Sequence, residues 1–552
     1  PMHTNPFIRE VLELAASGRK RQALDRLKRL QSDAPDDLEL HLLVGGLSAE
    51  LGDVDSARTH LATVLARQPA HFGAAQALDG LLRQRGTPTN RATLWHRYVA
   101  AAPGDLRGRI HLIDALLAGD DQPAADEQRN RLPLDGADPA IHLALAQIYH
   151  QRGVERVAVD HYRPYLAQVP GDRDARRNYA AALQTLGALD EAARIYEALL
   201  SDEPDDHGAL ANLGTLRKEQ DRLDAALELY RRAMLSRRRR LAPAEVAAAG
   251  EHPGARTTTL HSLRLEREQL AHLADEGVVV EGSARLIGAY DALIRELGDA
   301  GGRRITLTPA QFAPIGEAMQ RLLHLEETPA LDGGALNPEL DYAALEAEFL
   351  DRPPGIVVVD DFLRPEALLA LRRYCQRSTV WFGYGKVLGY CGAYMQEGFG
   401  NPLLLQLAAD LRRLMPRVVG PHRLNQMWGY IYDSQMSGIT AHADPAAVNV
   451  NFWIVPDEAN LEPARGGLVV SKREAPAEWD FQDYNNRPGV LEAFMNESEQ
   501  VRVPHRCNRM VMFNSNLVHK TDAFRFRPGL TNRRINVTML FGDRRGSDAP
   551  AA

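Results

Sequence analysis

The segment Gly438-Ile-Thr-Ala-His442-Ala-Asp444 sets an imidazole and a carboxylate two residues apart. In an extended chain, residues two apart point to one side, so His442 and Asp444 are expected to reach a single metal ion together. His519, in the run Phe513-Asn-Ser-Asn-Leu-Val-His519, supplies a third ligand just past a predicted strand over 510–513. Two neutral imidazoles and one carboxylate can take one face of a divalent ion, leaving the other face open. The centre then keeps one net positive charge, which favours an anionic chelator. An isolated His-x-Asp carries little weight alone: a hydrogen-bonded structural histidine and a turn aspartate before Pro445 would read the same.

The surrounding elements give the motif its context. Gly355-Ile-Val-Val-Val-Asp-Asp-Phe362 reads as a buried strand entering a turn, and 365–376 as a helix. Short strand-like runs then come at 428–432, 448–455, 467–470, 510–513 and 535–541. Many short strands without long helices between them predict a sandwich or barrel. His505 falls before the strand that leads to Phe513, and His422 in a loop after Gly420-Pro421, so neither is expected as a ligand.

Taken in order, these pieces resemble the iron(II)- and 2-oxoglutarate-dependent dioxygenases, in particular the prolyl-hydroxylase branch, over residues 350–543. Tyr432 precedes His442 by ten residues. Asn449, Asn451 and Trp453 alternate on the next strand. Gly466-Gly467-Leu468 is similar to the family's GGxL strand entry. Pro504, Arg509, Phe513 and His519 look like its approach to the distal histidine, and Arg534-Ile-Asn-Val-Thr538 like its terminal strand. The resemblance implies a double-stranded β-helix, a jelly-roll or cupin-like closed barrel, with iron(II) on His442, Asp444 and His519. It further implies 2-oxoglutarate and dioxygen as cosubstrates, ascorbate as a reductant, and oxidative decarboxylation to succinate coupled to hydroxylation. Related halogenases replace the carboxylate ligand by a small residue; Asp444 is kept here, so hydroxylation is the default. Tyr432 is expected to hydrogen-bond the cosubstrate, and Asn451 and Trp453 to line its pocket, although a core tyrosine and a packed strand tryptophan fit the same letters.

A 2-oxoglutarate that chelates iron at one end leaves a second carboxylate deep in the barrel, and a guanidinium pairs with a carboxylate through two parallel hydrogen bonds. Arg534, Asn536 and Thr538 share one strand face, so Arg534 with Thr538 is the expected anchor. Arg534 lies fifteen residues after His519, more than the family pattern leads one to expect. Arg525, Arg527 and Arg533 therefore stay open as competitors, with the turn at Pro528-Gly529 absorbing the difference and Arg533 facing the other way.

The first 240 residues repeat. Pro35, Pro69, Pro103, Pro170 and Pro204 are separated by 34, 34, 67 and 34 residues, and a 34-residue period marks tetratricopeptide repeats, each a pair of antiparallel helices. Ala23, Gly45 and Ala57, Ala192 and Tyr196, Leu213-Gly214, Ala226, Tyr230 and Ala233 fit that frame, while 115–140 is degenerate. The expected plan is a multidomain α + β chain: a solenoid of about six repeats over 4–240, a linker and helical connector over 241–342, and an oxygenase domain over 343–545. Within the connector, 241–258 reads as a linker and 327–342 as a second soft region, with 259–342 as packed helices in which Leu286, Tyr290, Leu293 and Leu297 form one helix face.

Composition narrows the function classes. The chain has 552 residues, 45% hydrophobic and 25% charged, with a net charge of -8. That balance gives no support for nucleic-acid binding, and the basic run Arg237–Arg240 reads as a solvated helix end. Cys375, Cys391 and Cys507 form no paired spacing, which argues for a reducing compartment. No apolar stretch is long enough to span a bilayer, and the opening Pro1-Met2 reads as a cloning remnant, so a cytoplasmic location is expected. Three classes emerge: a hydroxylase acting on a protein or peptide recruited by the repeats, a small-molecule tailoring oxygenase whose repeats serve assembly, and an inactive binding module. The oligomeric state stays open.

Overall fold

The structure is a computed structural model that describes residues 6–134, 136–298, 303–384, 389–436 and 439–544. Pro1, Met2 and Gly438, and the expected domain limits at residues 4 and 545, lie outside these. The chain divides into two compact units, residues 1–192 and 193–552.

The first unit is built from helical pairs. Their leading helices are Pro6–Ala16, Leu38–Glu50, Phe72–Arg85, Leu106–Leu117, Pro139–Gln151 and Arg173–Thr185. At four of these starts a capping side chain sits two residues after the periodic proline. Asp37, His71, Asp105 and Asp172 all accept backbone amides of the next helix, satisfying donors that would otherwise be orphaned. The long gap between Pro103 and Pro170 is filled by Pro139–Gln151, whose cap Asp138 keeps the register without the proline at its usual place. In the degenerate segment the second helix shrinks to Gln122–Asn130. The helix Leu189–Asp202 spans the division between the units.

The second unit opens with one more pair, His207–Glu219 and Leu223–Arg237. A Cβ on Gly214 would lie 2.8 Å from the Tyr230 ring, so the glycine is what lets these two helices close. Ala226, Tyr230 and Met234 enter the same apolar core as Phe362, Trp381, Phe399 and Met427. Lys218, itself buried, donates to the carbonyl of Asn425 at 2.7 Å. The compact units therefore do not divide at residue 240.

The connector is more ordered than its proline and glycine content predicts. Pro243–Gly250 is helical, and Thr257–Thr259 pairs with Arg304–Thr306. Ser283–Leu297 buries Leu286, Tyr290 and Leu293, as its spacing predicts. The helix Leu260–Asp275 is tied to the end of the helix Pro365–Arg377 by polar contacts: Gln269 donates to the carbonyls of Gln376 and Ser378.

The β-rich region contains β1 (Ile356–Val359), β2 (Gly383–Tyr384), β3 (Tyr390–Tyr394), β4 (Leu424–Tyr432), β5 (Gln435–Met436), β6 (Val448–Trp453), β7 (Leu468–Glu474), β8 (Gln500–Val503), β9 (Met510–Asn514), β10 (Leu517–Thr521), β11 (Phe524–Arg525) and β12 (Ile535–Phe541). Seven strands form one antiparallel sheet in the order β1-β9-β6-β12-β4-β3-β2. A second sheet has the order β8-β7-β10, and β11 pairs with β5. Trp453, Val511 and Phe513 from the large sheet pack with Leu468, Val470, Val503 and Leu517 from the small one, so alternating side chains of both sheets share a core. The helices Pro365–Arg377 and Pro402–Leu414 bury leucines against the large sheet. Among the described residues no helix is long and apolar enough to cross a membrane.

Gly466 and Gly467 stand at the entry to β7, where other backbone and side chains pass close by. Gly466 has φ +86°, in the left-handed region that favours glycine. At Gly467 an added Cβ would lie 1.9 Å from the carbonyl oxygen of Val503. Gly467→Ala is therefore expected to lower stability by about 1–3 kcal/mol or more, measured by chemical denaturation. Gly489→Ala, where an added Cβ meets nothing within 4 Å, should change it by less than about 1 kcal/mol. Equal midpoints for the two variants would show that the close approach is not required.

Candidate metal centre

His442 lies in no regular strand. It meets His519, on β10, in a single antiparallel bridge: each backbone amide donates to the other's carbonyl, at 3.0 and 2.8 Å. Residues paired this way carry their side chains on the same side of the backbone, and the two imidazole centroids are 4.5 Å apart. The alignment expected from a shared strand face of His442 and Asp444 thus comes instead from pairing between His442 and His519. Asp444 sits in the turn before β6, its amide donating to the Ser515 carbonyl. Its carboxylate lies 3.4 Å from Nε2 of His519 and 3.9 Å from Nε2 of His442. The ligand atoms of the three all fall within 4.8 Å of one another, the only such group of three among the described residues. His505 and His422 are not part of it.

Both rings are set for coordination. Nδ1 of His442 lies 3.0 Å from the Thr440 carbonyl, and Nδ1 of His519 lies 3.0 Å from the Leu517 carbonyl. A carbonyl only accepts, so each Nδ1 carries the hydrogen and each Nε2 turns its lone pair inward. Burial, reinforced by His519, pushes the His442 pKa down and favours the neutral ligand form. Burial alone would raise the Asp444 carboxyl, but the neighbouring His519 and His442 and the hydrogen bond from Asn449 outweigh it and hold the group below the usual carboxylate range.

The three residues open into a recess lined by the aromatic and aliphatic side chains Trp428, Tyr430, Tyr432 and Ile439 and by the polar side chains Asn451, Thr521, Asn536 and Thr538. The aromatic wall comes from period-two alternation along β4: residues 428, 430 and 432 face the recess, while Met427, Gly429 and Ile431 are on the opposite face. The family pattern singles out Tyr432 alone from this row, although the same alternation applies to Trp428 and Tyr430. Thr521 is likewise legible as the residue two after His519.

Arg534 is 1% exposed. Nε donates to Gly466 O at 2.6 Å, Nη2 to Gly467 O at 3.3 Å and Nη1 to Asn536 Oδ1 at 3.1 Å. Its guanidinium lies 4.6 Å from the Tyr432 ring centroid, with Phe524 at 5.4 Å and Trp453 at 5.9 Å. It forms no ion pair with a carboxylate among the described residues, and burial works against its charge. Trp453 therefore packs around this guanidinium and in the core between the sheets and does not line the recess wall. Arg533 points the other way, making two hydrogen bonds to Glu268 at 2.6 and 3.0 Å and one to the Tyr432 carbonyl. Arg525 and Arg527 are exposed; Arg525 lies 3.8 Å from Glu462, and Arg527 donates to the carbonyl of Glu458.

No family model matches the chain. It is 29% identical over 235 residues to the cellulose synthase 2 operon protein C of Komagataeibacter xylinus, an alignment that covers 41% of this chain and 16% of that relative's length. A tetratricopeptide repeat protein from Parabacteroides merdae aligns over 41% of this chain and 90% of its own, at 12% identity and a TM-score of 0.34. The C-terminal part of a TPR repeat-containing protein from Cytophaga hutchinsonii aligns over 42% and 95%, at 13% identity and a TM-score of 0.34. With its proline period and helical pairs, the N-terminal region of this chain is a helical solenoid of tetratricopeptide-type repeats.

Proposed function

We propose that the chain is an iron(II)- and 2-oxoglutarate-dependent oxygenase whose β-rich region is a double-stranded β-helix, and that it hydroxylates a protein or peptide recruited by the repeats. The observation that carries this reading is the convergence of His442, Asp444 and His519 within 4.8 Å, with both Nε2 atoms free to coordinate. Two imidazoles and one carboxylate on one side suit iron(II). Bound iron(II) would supply the redox centre at which dioxygen and 2-oxoglutarate react to give succinate, carbon dioxide and a hydroxylated product.

The chain's own groups do the rest. Arg534 offers a buried positive charge with no carboxylate partner among the described residues, which suits the distal carboxylate of 2-oxoglutarate. Tyr432 and Phe524 screen that charge from water. Trp428, Tyr430 and Ile439 form a largely apolar wall beside the ligands, where a substrate C–H bond would be held away from solvent. Arg533, committed to Glu268, is not the anchor in this reading. A second reading, a small-molecule hydroxylase, is favoured by the smallness of the recess, whose volume is about 30 Å³.

Prepared without oxygen, the chain should bind one iron(II) or manganese(II). His442→Ala and His519→Ala should each lose more than the roughly 10–100-fold that loss of an outer partner of a metal ligand costs. Binding as tight as wild type in both, by titration calorimetry, would remove the ligand assignment.

Arg534→Ala should weaken 2-oxoglutarate by about 2–5 kcal/mol, roughly thirtyfold or more, and leave metal affinity within about tenfold. Arg533→Ala should instead destabilise the fold, because it strands Glu268 beside a buried site, with a smaller effect on 2-oxoglutarate. The reverse ranking in binding titrations would move the anchor.

Removing residues 1–192 should leave metal binding and uncoupled succinate formation intact while raising the apparent KM for a protein substrate several-fold. Removing 1–240 should also destabilise the remainder, since it takes Tyr230 and Met234 out of the core. An unchanged KM after the shorter deletion would favour the small-molecule reading.

A further inference from the structure

A line of side-chain hydrogen bonds joins Arg534 to Asp444 through Asn536, Thr538 and Asn451, which line the recess, and Asn449, which does not. Arg534 Nη1 donates to Asn536 Oδ1 at 3.1 Å. Asn536 Nδ2 donates to Asn451 Oδ1 at 3.4 Å and to Thr538 Oγ1 at 3.2 Å, and Thr538 Oγ1 passes its own hydrogen to Asn451 Oδ1 at 2.6 Å. Asn451 Nδ2 then donates to Asn449 Oδ1, and Asn449 Nδ2 to Asp444 Oδ2 at 2.6 Å. Every member is buried. Thr538 and Asn451 are direct register partners between β12 and β6, so the sheet ladder itself holds the line in place.

The two ends fix its direction. A guanidinium only donates and a carboxylate only accepts, so each amide between them must turn its oxygen toward Arg534 and its NH2 toward Asp444. Flipping any one of them would set donor against donor in a buried site. Dipoles aligned in one sense polarise one another, and the last of them grips the carboxylate that faces both histidines.

We infer that Asn449 is a positioning residue for Asp444, and that the asparagine relay makes metal affinity depend on residues as far away as Asn536. This rests on the metal-centre reading above. The relay also accounts for Asn451 and Thr538, whose hydrogen-bonding capacity is largely spent on one another.

The test is Mn(II) affinity of the full chain without 2-oxoglutarate, read from the electron paramagnetic resonance signal of free Mn(II). Asn449→Leu should weaken binding about 10–100-fold. Asn536→Ala, which touches no ligand, should weaken it about two- to thirtyfold. The double variant should be no weaker than Asn449→Leu alone, because both changes break one line; additive losses would mean independent effects and would overturn the relay. Unchanged Mn(II) affinity in Asn536→Ala overturns it as well, and decides the matter should Asn449→Leu melt early. If the wild-type chain binds no Mn(II), the metal-centre reading fails and the relay goes with it. A wild-type chain that binds alongside indifferent variants leaves the centre standing and removes only the relay.

Discussion

The two-way backbone bridge between His442 and His519 is the constraint on which the site depends. The two histidines are far apart in sequence, and neither sits where a local motif alone would aim it. The bridge sets the distance between the rings, and carbonyls two residues upstream of each histidine set their tautomers. Asp444 needs only the short turn into β6 to complete the group. Because β10 belongs to the small sheet and β6 to the large one, the site stands where the two sheets meet, and their shared core holds that seam.

Much of this was legible in the sequence. That His442, Asp444 and His519 come together, that Arg534 faces inward, and the strands at 448, 510 and 535 could be read from residue type, alternation and order. What the letters could not give was the partner of each backbone. His442 reads like a strand residue because period two is all that a sequence shows; whether its neighbour is Asp444 or His519 is decided by a long-range pairing. The same limit explains Trp453. Its alternation with Asn451 places both on one face, but the tryptophan lies deeper along β6, in the core between the sheets and beyond the recess. Arg533 and Arg534 were separable by strand face alone, and Glu268, far upstream, gives the physical reason for the outward one.

The connector shows a different limit. Proline and glycine make 241–258 read as a linker and 327–342 as a soft region, yet Pro243–Gly250 is a helix and Ala335 and Leu336 are buried in the core. Proline at the first turn of a helix costs nothing, so its presence marks a boundary without saying on which side the order lies. The helix Leu260–Asp275 then gains through Gln269 and Glu268 a set of long-range polar contacts that no local pattern announces.

The pair His207–Glu219 and Leu223–Arg237 shares its core with the β-rich region. A repeat array ordinarily tolerates gain or loss of a unit anywhere along its length, since each unit meets only its neighbours. Here that freedom is lost at the last pair, whose Tyr230 and Met234 answer to Phe399 and Met427 as well as to their own repeat. Gain or loss of repeats is therefore free only upstream of that pair, because the final pair belongs to the same compact unit as the β-rich region.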